Sequence, residues 1–194
     1  AETYTLPNNY QSVENITALE RGMSSNYTQA AVLSEALASL YKEGDLRLDA
    51  YFKAADKNGY RFSQKSGKDD FRCSFRVGEM YLNSAEAAAQ SDKLPQARTR
   101  LLELMQKRYT PEVYTVKATA VNAMTKEALI QEILDERARE LAFEGHRWFD
   151  LRRTTRPRIE KVLKGGTYVL EQDDSRYTIQ IPREAIAANP ELSN

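Results

Sequence analysis

The chain has 194 residues, enough for one domain with a substantial core, and balances 28 Lys and Arg against 28 Asp and Glu. This zero net charge excludes a bulk field that would draw the protein to nucleic acid or anionic lipid. One Cys excludes an internal disulfide, and with only one His it also excludes the usual Cys/His zinc sites.

The N-terminal third combines irregular chain with short elements. Residues 1–27 are polar, lack sustained apolar periodicity and predict a largely loop segment of a single domain spanning 1–194. Apolar residues at helical spacing predict one amphipathic helix over 28–42, which Gly44 ends. The pair Asn58-Gly59 then favours a tight hairpin, because both residues tolerate positive φ.

The central part carries the strongest helical pattern. Residues 77–90 and 95–108 predict two helices joined by "SDKL", and their many alanines resemble one hairpin of a tetratricopeptide array. Residues 109–124 are rich in β-branched side chains and contain Pro111, so they predict an extended loop. The fold class is therefore mainly α: a tetratricopeptide-like helical hairpin scaffold with irregular loops and short two-stranded β excursions.

The longest helix follows these elements. Thr125 is a good N-cap, and an apolar stripe runs from Ile130 to Trp148 along one continuous helix. Beyond this helix, residues 165–194 contain two short Tyr/Val/Ile segments and end in a brief helical turn. No apolar run approaches the length that spans a bilayer.

Charged side chains crowd the end of this helix, in "ERARELAFEGHRWFDLRR". Arg137 falls close to the apolar stripe, where an unpaired charge is costly to bury. We therefore predict structural ion pairs that join Arg137 to Glu140, to Glu144, or to Glu79 or Glu86 on a neighbouring helix.

Three functional interpretations of the same stretch compete with this structural one. His146 and Asp150 have the i, i+4 spacing of two metal ligands, but a site needs at least three. Glu136 and its neighbours Glu140 and Glu144 offer a carboxylate pair of glycosidase type. The arginine-rich run 146–164 with Trp148 suggests nucleic acid, although the helical spacing places the aromatics on the core side. The structural interpretation is favoured, so we expect no catalytic residue, metal, cofactor or nucleic-acid partner.

Four segments, in order, carry a family resemblance. "ILDERARELAFEGHRWFDLRR" (Ile133–Arg153) closely resembles the C-terminal signature of the SusD/RagB family. "LYKEGDLRLDAYF" (Leu40–Phe52), "FRVGEMYLNSAEAAAQ" (Phe75–Gln90) and "YTIQIPREAIAANPEL" (Tyr177–Leu192) are similar to further family motifs. The resemblance as a whole extends over about Ser34 to Leu192.

The resemblance implies a bacterial outer-membrane nutrient-binding lipoprotein with a tetratricopeptide-like scaffold. Such proteins hold an oligosaccharide, or sometimes a peptide, at the cell surface beside a SusC-like TonB-dependent transporter, without catalysis. Members are usually longer and attach to the membrane by a lipidated N-terminal Cys, which Cys73 cannot supply. We therefore expect a C-terminal part of a longer protein. A helical-repeat protein-interaction module and a carboxylate-pair glycoside hydrolase are the two competing hypotheses.

Members of the family generally capture glycans through exposed aromatic side chains. Tyr10, Tyr27, Tyr109 and Tyr114 lie in segments without helical periodicity, where a ring could stay available for stacking. These four tyrosines are the candidate ligand-binding residues, although each could instead close a loop onto the core.

Overall fold

The computed structural model describes residues 13–18, 32–65, 74–163 and 165–192. Tyr10 and Tyr27 therefore lie outside the described residues. The chain, predicted from its sequence to form one domain, divides into two compact units, residues 1–146 and 147–194.

Helices dominate the described part of the first unit. The helices are α1 (Glu35–Ala38), α2 (Arg47–Tyr51), α3 (Val77–Gln90), α4 (Leu94–Met105), α5 (Pro111–Ala123) and α6 (Lys126–Glu140), and the strands are β1 (Asn15–Ala18) and β2 (Ser74–Arg76). The strands pair antiparallel with an irregularity between Asn15 and Thr17. A strand thus lies within the segment predicted to be mostly loop.

The helical hairpin of α3 and α4 forms the centre of the main core. Three of its alanines, Ala85, Ala89 and Ala97, are fully buried and let the helices approach closely. Leu129 and Ile133 of α6 complete the core from the neighbouring helix. The alanine pattern therefore predicts both the hairpin and its packing surface.

Residues 109–124 form a helix, so the prediction of an extended loop is wrong. Pro111 stands at the first turn of α5, where its missing N–H costs no hydrogen bond. Val121 is buried, and Val113 and Tyr114 pack against the main core. This packing outweighs the weak helix propensity of the β-branched residues.

The segment 32–65 is more irregular than predicted. Of the helix expected over 28–42, the described residues contain only α1, which Ser34 caps by accepting a hydrogen bond from the Leu37 backbone N–H. Asn58-Gly59 does lie in a turn, but the flanking chain pairs only through isolated bridges such as Phe52 with Ser63. Tyr41, Phe52 and neighbouring residues form a second, aromatic core cluster.

Helix α6 begins as predicted, because Thr125 accepts a hydrogen bond from the Ala128 backbone N–H. It ends at Glu140 rather than continuing to Trp148. A bend over 141–145 follows, in which Phe143 and Gly145 adopt φ values of 62° and 86°. This bend takes the chain off the axis of α6, so the apolar stripe does not form one continuous face.

The second unit contains a β-hairpin and short helical turns. Helix α7 (His146–Arg153) begins at the unit boundary and leads to strands β3 (Ile159–Leu163) and β4 (Gly166–Leu170), which pair antiparallel. Of the two strand segments predicted in the tail, the second is not a strand: Tyr177 lies in a 3-10 turn. The brief final helix exists as α8 (Arg183–Ala188). No helix among the described residues combines the length and apolarity that crossing a membrane requires.

Candidate functional site

A buried ionic cluster occupies the C-terminal end of α6 and the bend after it. Its carboxylates come mainly from α6 and the bend, and its cations also come from α2, from β2 and from the ends of two loops. The ionic cluster comprises Asp45, Arg47, Lys65, Arg76, Arg108, Glu136, Arg139, Glu140 and Glu144.

Arg47 is the most connected cation of the cluster. Its Nη1 donates to Glu136 Oε1 at 2.6 Å and to Glu140 Oε2 at 3.1 Å, and its Nε donates to Asp45 Oδ1 at 2.9 Å. Nη2 also donates to the Tyr109 hydroxyl at 2.8 Å. Because the side chain is 2% exposed, these carboxylates replace water as its partners.

Arg76 and Arg108 enclose the Glu140 carboxylate from other directions. Arg76 Nη1 donates to Glu140 Oε1 at 2.7 Å, and Arg108 Nε donates to Glu140 Oε2 at 2.9 Å. Arg76 Nε also reaches Glu144 Oε2 at 2.9 Å. Both oxygens of Glu140 are therefore occupied by guanidinium donors.

Lys65 fixes the bend that follows α6. Its Nζ donates to the backbone carbonyls of Glu140 at 2.6 Å and Ala142 at 3.1 Å, and it also donates to the Glu144 carboxylate. Burial lowers the pKa of Lys65 to about 8, and the attraction of Glu144 only partly opposes this effect. The ammonium group thus caps carbonyls that the end of the helix leaves without backbone partners.

The carboxylates of Glu136 and Glu140 are held in their charged form. Burial alone would raise the pKa of Glu136, but Arg47 and Arg139 outweigh it and hold that pKa at about 2. Arg108 and Arg76 likewise outweigh burial and keep the pKa of Glu140 well below its usual range. Carboxylates that are permanently charged and sealed from solvent cannot protonate a substrate. The cluster is a structural tie between distant segments.

The predicted ion-pair residues lie in or beside this cluster. Arg137 is buried and donates through Nη1 to Asn83 Oδ1 at 2.6 Å. The guanidinium donors on Glu140 are those of Arg47, Arg76 and Arg108, and Glu144 binds Arg76 and Lys65. Sequence reasoning missed Arg47 and Arg76 as the central cations, although both stand in the family-like segments.

Two candidate tyrosines fall within the described residues. Tyr109 is 3% exposed, Arg47 and Lys117 lie over its ring, and its hydroxyl donates to Glu136 at 3.0 Å. Its ring is therefore not open for stacking, which corrects the expectation for this residue. Tyr114 lies in α5, half-buried against the main core, rather than in an irregular loop.

The structure also shows the surroundings of His146, Asp150 and Trp148, which the sequence suggested for metal or nucleic-acid binding. His146 Nδ1 lies 3.8 Å from Glu79 Oε1, and Asp150 accepts from Arg153 Nη2 at 2.7 Å. Within the ranges that the structure describes, no three His, Cys, Asp or Glu side chains are placed to hold a metal ion. Trp148 is 37% exposed and does not belong to the buried core that the helical spacing predicted.

Two of the concave surfaces that described residues line could receive a ligand. The helical groove of the first unit has a volume of about 230 Å³ and is lined by Val77, Met80, Tyr81, Ser84 and Arg100. The hairpin pocket of the second unit has a volume of about 280 Å³ and is lined by Trp148, Ile159, Lys161, Tyr168, Val169, Leu170 and Arg176. The hairpin pocket has the richer chemistry, because it has two aromatic and two cationic side chains, whereas the helical groove has one of each.

Fold and motifs together define a helical scaffold protein built on a tetratricopeptide-like hairpin. The chain belongs to the SusD family, whose sequence model matches residues 8–194.

Solved structures share this fold. A SusD-like carbohydrate-binding protein from Bacteroides vulgatus superimposes with a TM-score of 0.58 at 19% identity, covering 86% of this chain and 44% of its own. A SusD superfamily protein from Bacteroides fragilis also superimposes with a TM-score of 0.58, at 21% sequence identity. The match covers 83% of this chain and 36% of the Bacteroides fragilis chain. The chain therefore spans less than half the length of these structures. Among curated proteins, none matches this chain.

Proposed function

We propose that this chain is part of a non-catalytic nutrient-binding protein that holds a glycan at the bacterial outer-membrane surface and acts with a SusC-like TonB-dependent transporter. The observation that carries this proposal is the family match over residues 8–194. The similarity in fold to a SusD-like carbohydrate-binding protein supports the same role.

The state of the carboxylates supports binding over hydrolysis. A two-carboxylate glycosidase needs one protonated acid and one free carboxylate on either side of the scissile bond. Glu136 and Glu140, two of the three candidates from the sequence, are buried, charged and fully engaged by arginines. Neither could reach a sugar without dismantling the ionic cluster.

Isothermal titration of the full chain against a panel of neutral and acidic oligosaccharides and short peptides tests the proposal. We expect heat of binding from at least one saccharide, with no shorter products on subsequent chromatography. Product release would instead support a glycosidase, and binding confined to peptides would support a protein-interaction module. Genes for a TonB-dependent transporter and for this chain should lie side by side in the genome.

A further inference from the structure

The hairpin pocket presents the Trp148 indole, which a second aromatic ring supports from behind. The Trp148 indole stacks on the Tyr177 ring at 5.2 Å between centroids and 8° between planes. Tyr177 is fully buried, and its hydroxyl donates to the Pro157 carbonyl. Because this stack covers one face of the indole, the exposed part of Trp148 lies on its outer face and edges. A fixed aromatic face of this kind suits the apolar C–H face of a sugar ring.

Strand pairing places a cation beside a second ring. Lys161 of β3 is paired with Tyr168 of β4, and Ile159 with Leu170 two residues away. These four positions alternate along the strands, so they share one face of the hairpin. The pocket therefore joins the Lys161 ammonium to the exposed Tyr168 ring on one surface.

The polar side chains of the pocket are almost entirely donors. Lys161, Arg176 and the Trp148 indole N–H can donate hydrogen bonds but cannot accept them, and only the Tyr168 hydroxyl can do both. The lining contains no Asp, Glu, Asn or Gln side chain. A ligand that fits must bring acceptors of its own.

The charge balance favours an anionic ligand. Arg176 is already neutralised, because its Nη2 lies 2.6 Å from Asp174 Oδ2 and its Nε donates to Asp174 Oδ1 at 2.9 Å. Lys161 is exposed and takes part in no ion pair among the described residues. One positive charge therefore remains for a ligand. The volume of about 280 Å³ lies at the lower end of small-molecule pockets, which suits a single sugar ring.

We propose that the hairpin pocket is a subsite for a carboxylated sugar, a hexuronic acid unit of a glycan. Its ring would stack on Trp148 and Tyr168, and its carboxylate would accept hydrogen bonds from Lys161. This assignment rests on the proposed glycan-binding function and names its ligand class.

The single tryptophan of the chain makes the subsite directly observable. The full chain is titrated with trigalacturonic acid and, in parallel, with neutral galactotriose, while the fluorescence of Trp148 is followed. We expect the acidic trisaccharide to shift the emission and to protect the indole from acrylamide quenching. Its affinity should fall as salt increases, because the Lys161 contact is exposed.

Matched substitutions locate the contact. K161Q should weaken trigalacturonate binding about threefold to fivefold, as expected for an exposed charge pair. Y168A should weaken it by about fivefold through the lost ring contact. K57Q and Y60A serve as controls, because Lys57 is also exposed and Tyr60, at 54%, matches Tyr168, at 58%, in exposure.

Each outcome bears on the subsite. Three results would overturn the subsite while leaving the proposed function intact. They are saccharide binding without a change in Trp148 emission, an affinity that K161Q does not alter, and tighter binding of the neutral sugar than of the acidic one. An acidic peptide that binds more tightly than trigalacturonate, with the same dependence on Lys161, would overturn the sugar assignment. If no saccharide in the panel binds, both proposals fail.

Discussion

Replacing Arg47 with Met tests whether the ionic cluster holds the first unit together. Met preserves much of the side-chain length but removes the charge and all five N–H donors. Asp45 would lose its guanidinium partner. Glu136 and Glu140 would each lose one of the several arginines that donate hydrogen bonds to them. These carboxylates would stay buried, because the surrounding helices still exclude water.

Breaking a buried ion pair on one side costs about 3–5 kcal/mol of unfolding free energy. In a chain of 194 residues, this corresponds to a melting temperature lowered by about 6–20 °C. Urea denaturation followed by far-UV circular dichroism measures the change. R100M is the control: Arg100 forms a surface pair with Glu103 and is 43% exposed, so its loss should cost less than about 1 kcal/mol.

The result that would refute this reasoning is an R47M variant no less stable than R100M. A second variant, R47K, separates charge from geometry. Lys keeps the positive charge but lacks the planar fork that contacts Asp45 and Glu136 together. We expect R47K to recover only part of the lost stability, and full recovery would show that the fork has no role.

Other expected outcomes concern pH and backbone strain. The pKa of Lys65 is about 8, against its ordinary 10.5, so the unfolded chain binds more protons between these values. Lys65 should therefore make the unfolding free energy rise by about 1 kcal/mol per pH unit between pH 8 and 10. Urea denaturation at each pH measures this rise, which should be absent in K65M. The pKa of Glu136 is about 2, so its stabilising contribution should disappear as pH falls from about 4.5 to 2, with a flatter acid slope in E136Q. In parallel denaturation experiments, G44A should cost about 1–3 kcal/mol more than G59A. Both glycines have φ near +80°, but only at Gly44 would a Cβ meet Val113, at 2.4 Å.

Features that depend on neighbouring residues could be predicted from the sequence. The alanine-rich periodicity locates α3 at its observed bounds, and the Thr125 cap locates the start of α6. Both signals act within one or two helical turns, where spacing alone fixes the relevant contacts.

Features that depend on tertiary contacts could not be predicted in the same way. The partners of Glu140 include Arg47 and Arg76, which lie 93 and 64 positions away, and no local pattern indicates that they meet. Helix α5 forms because Val121 and its neighbours pack on the main core, against their own propensity. Helical spacing predicts a core position for Trp148, but the helix ends before it.

The ionic cluster also bears on the order in which the chain folds. Its contacts close loops such as the 89 positions between Arg47 and Glu136, whereas α3 and α4 meet across a short turn. Long loops lose more chain entropy on closure, so we expect the helical hairpin to form early and the cluster late. In stopped-flow experiments R47M should then accelerate unfolding more than it slows refolding. The buried charges would thus contribute mainly to kinetic stability, because they slow the unfolding of the native state.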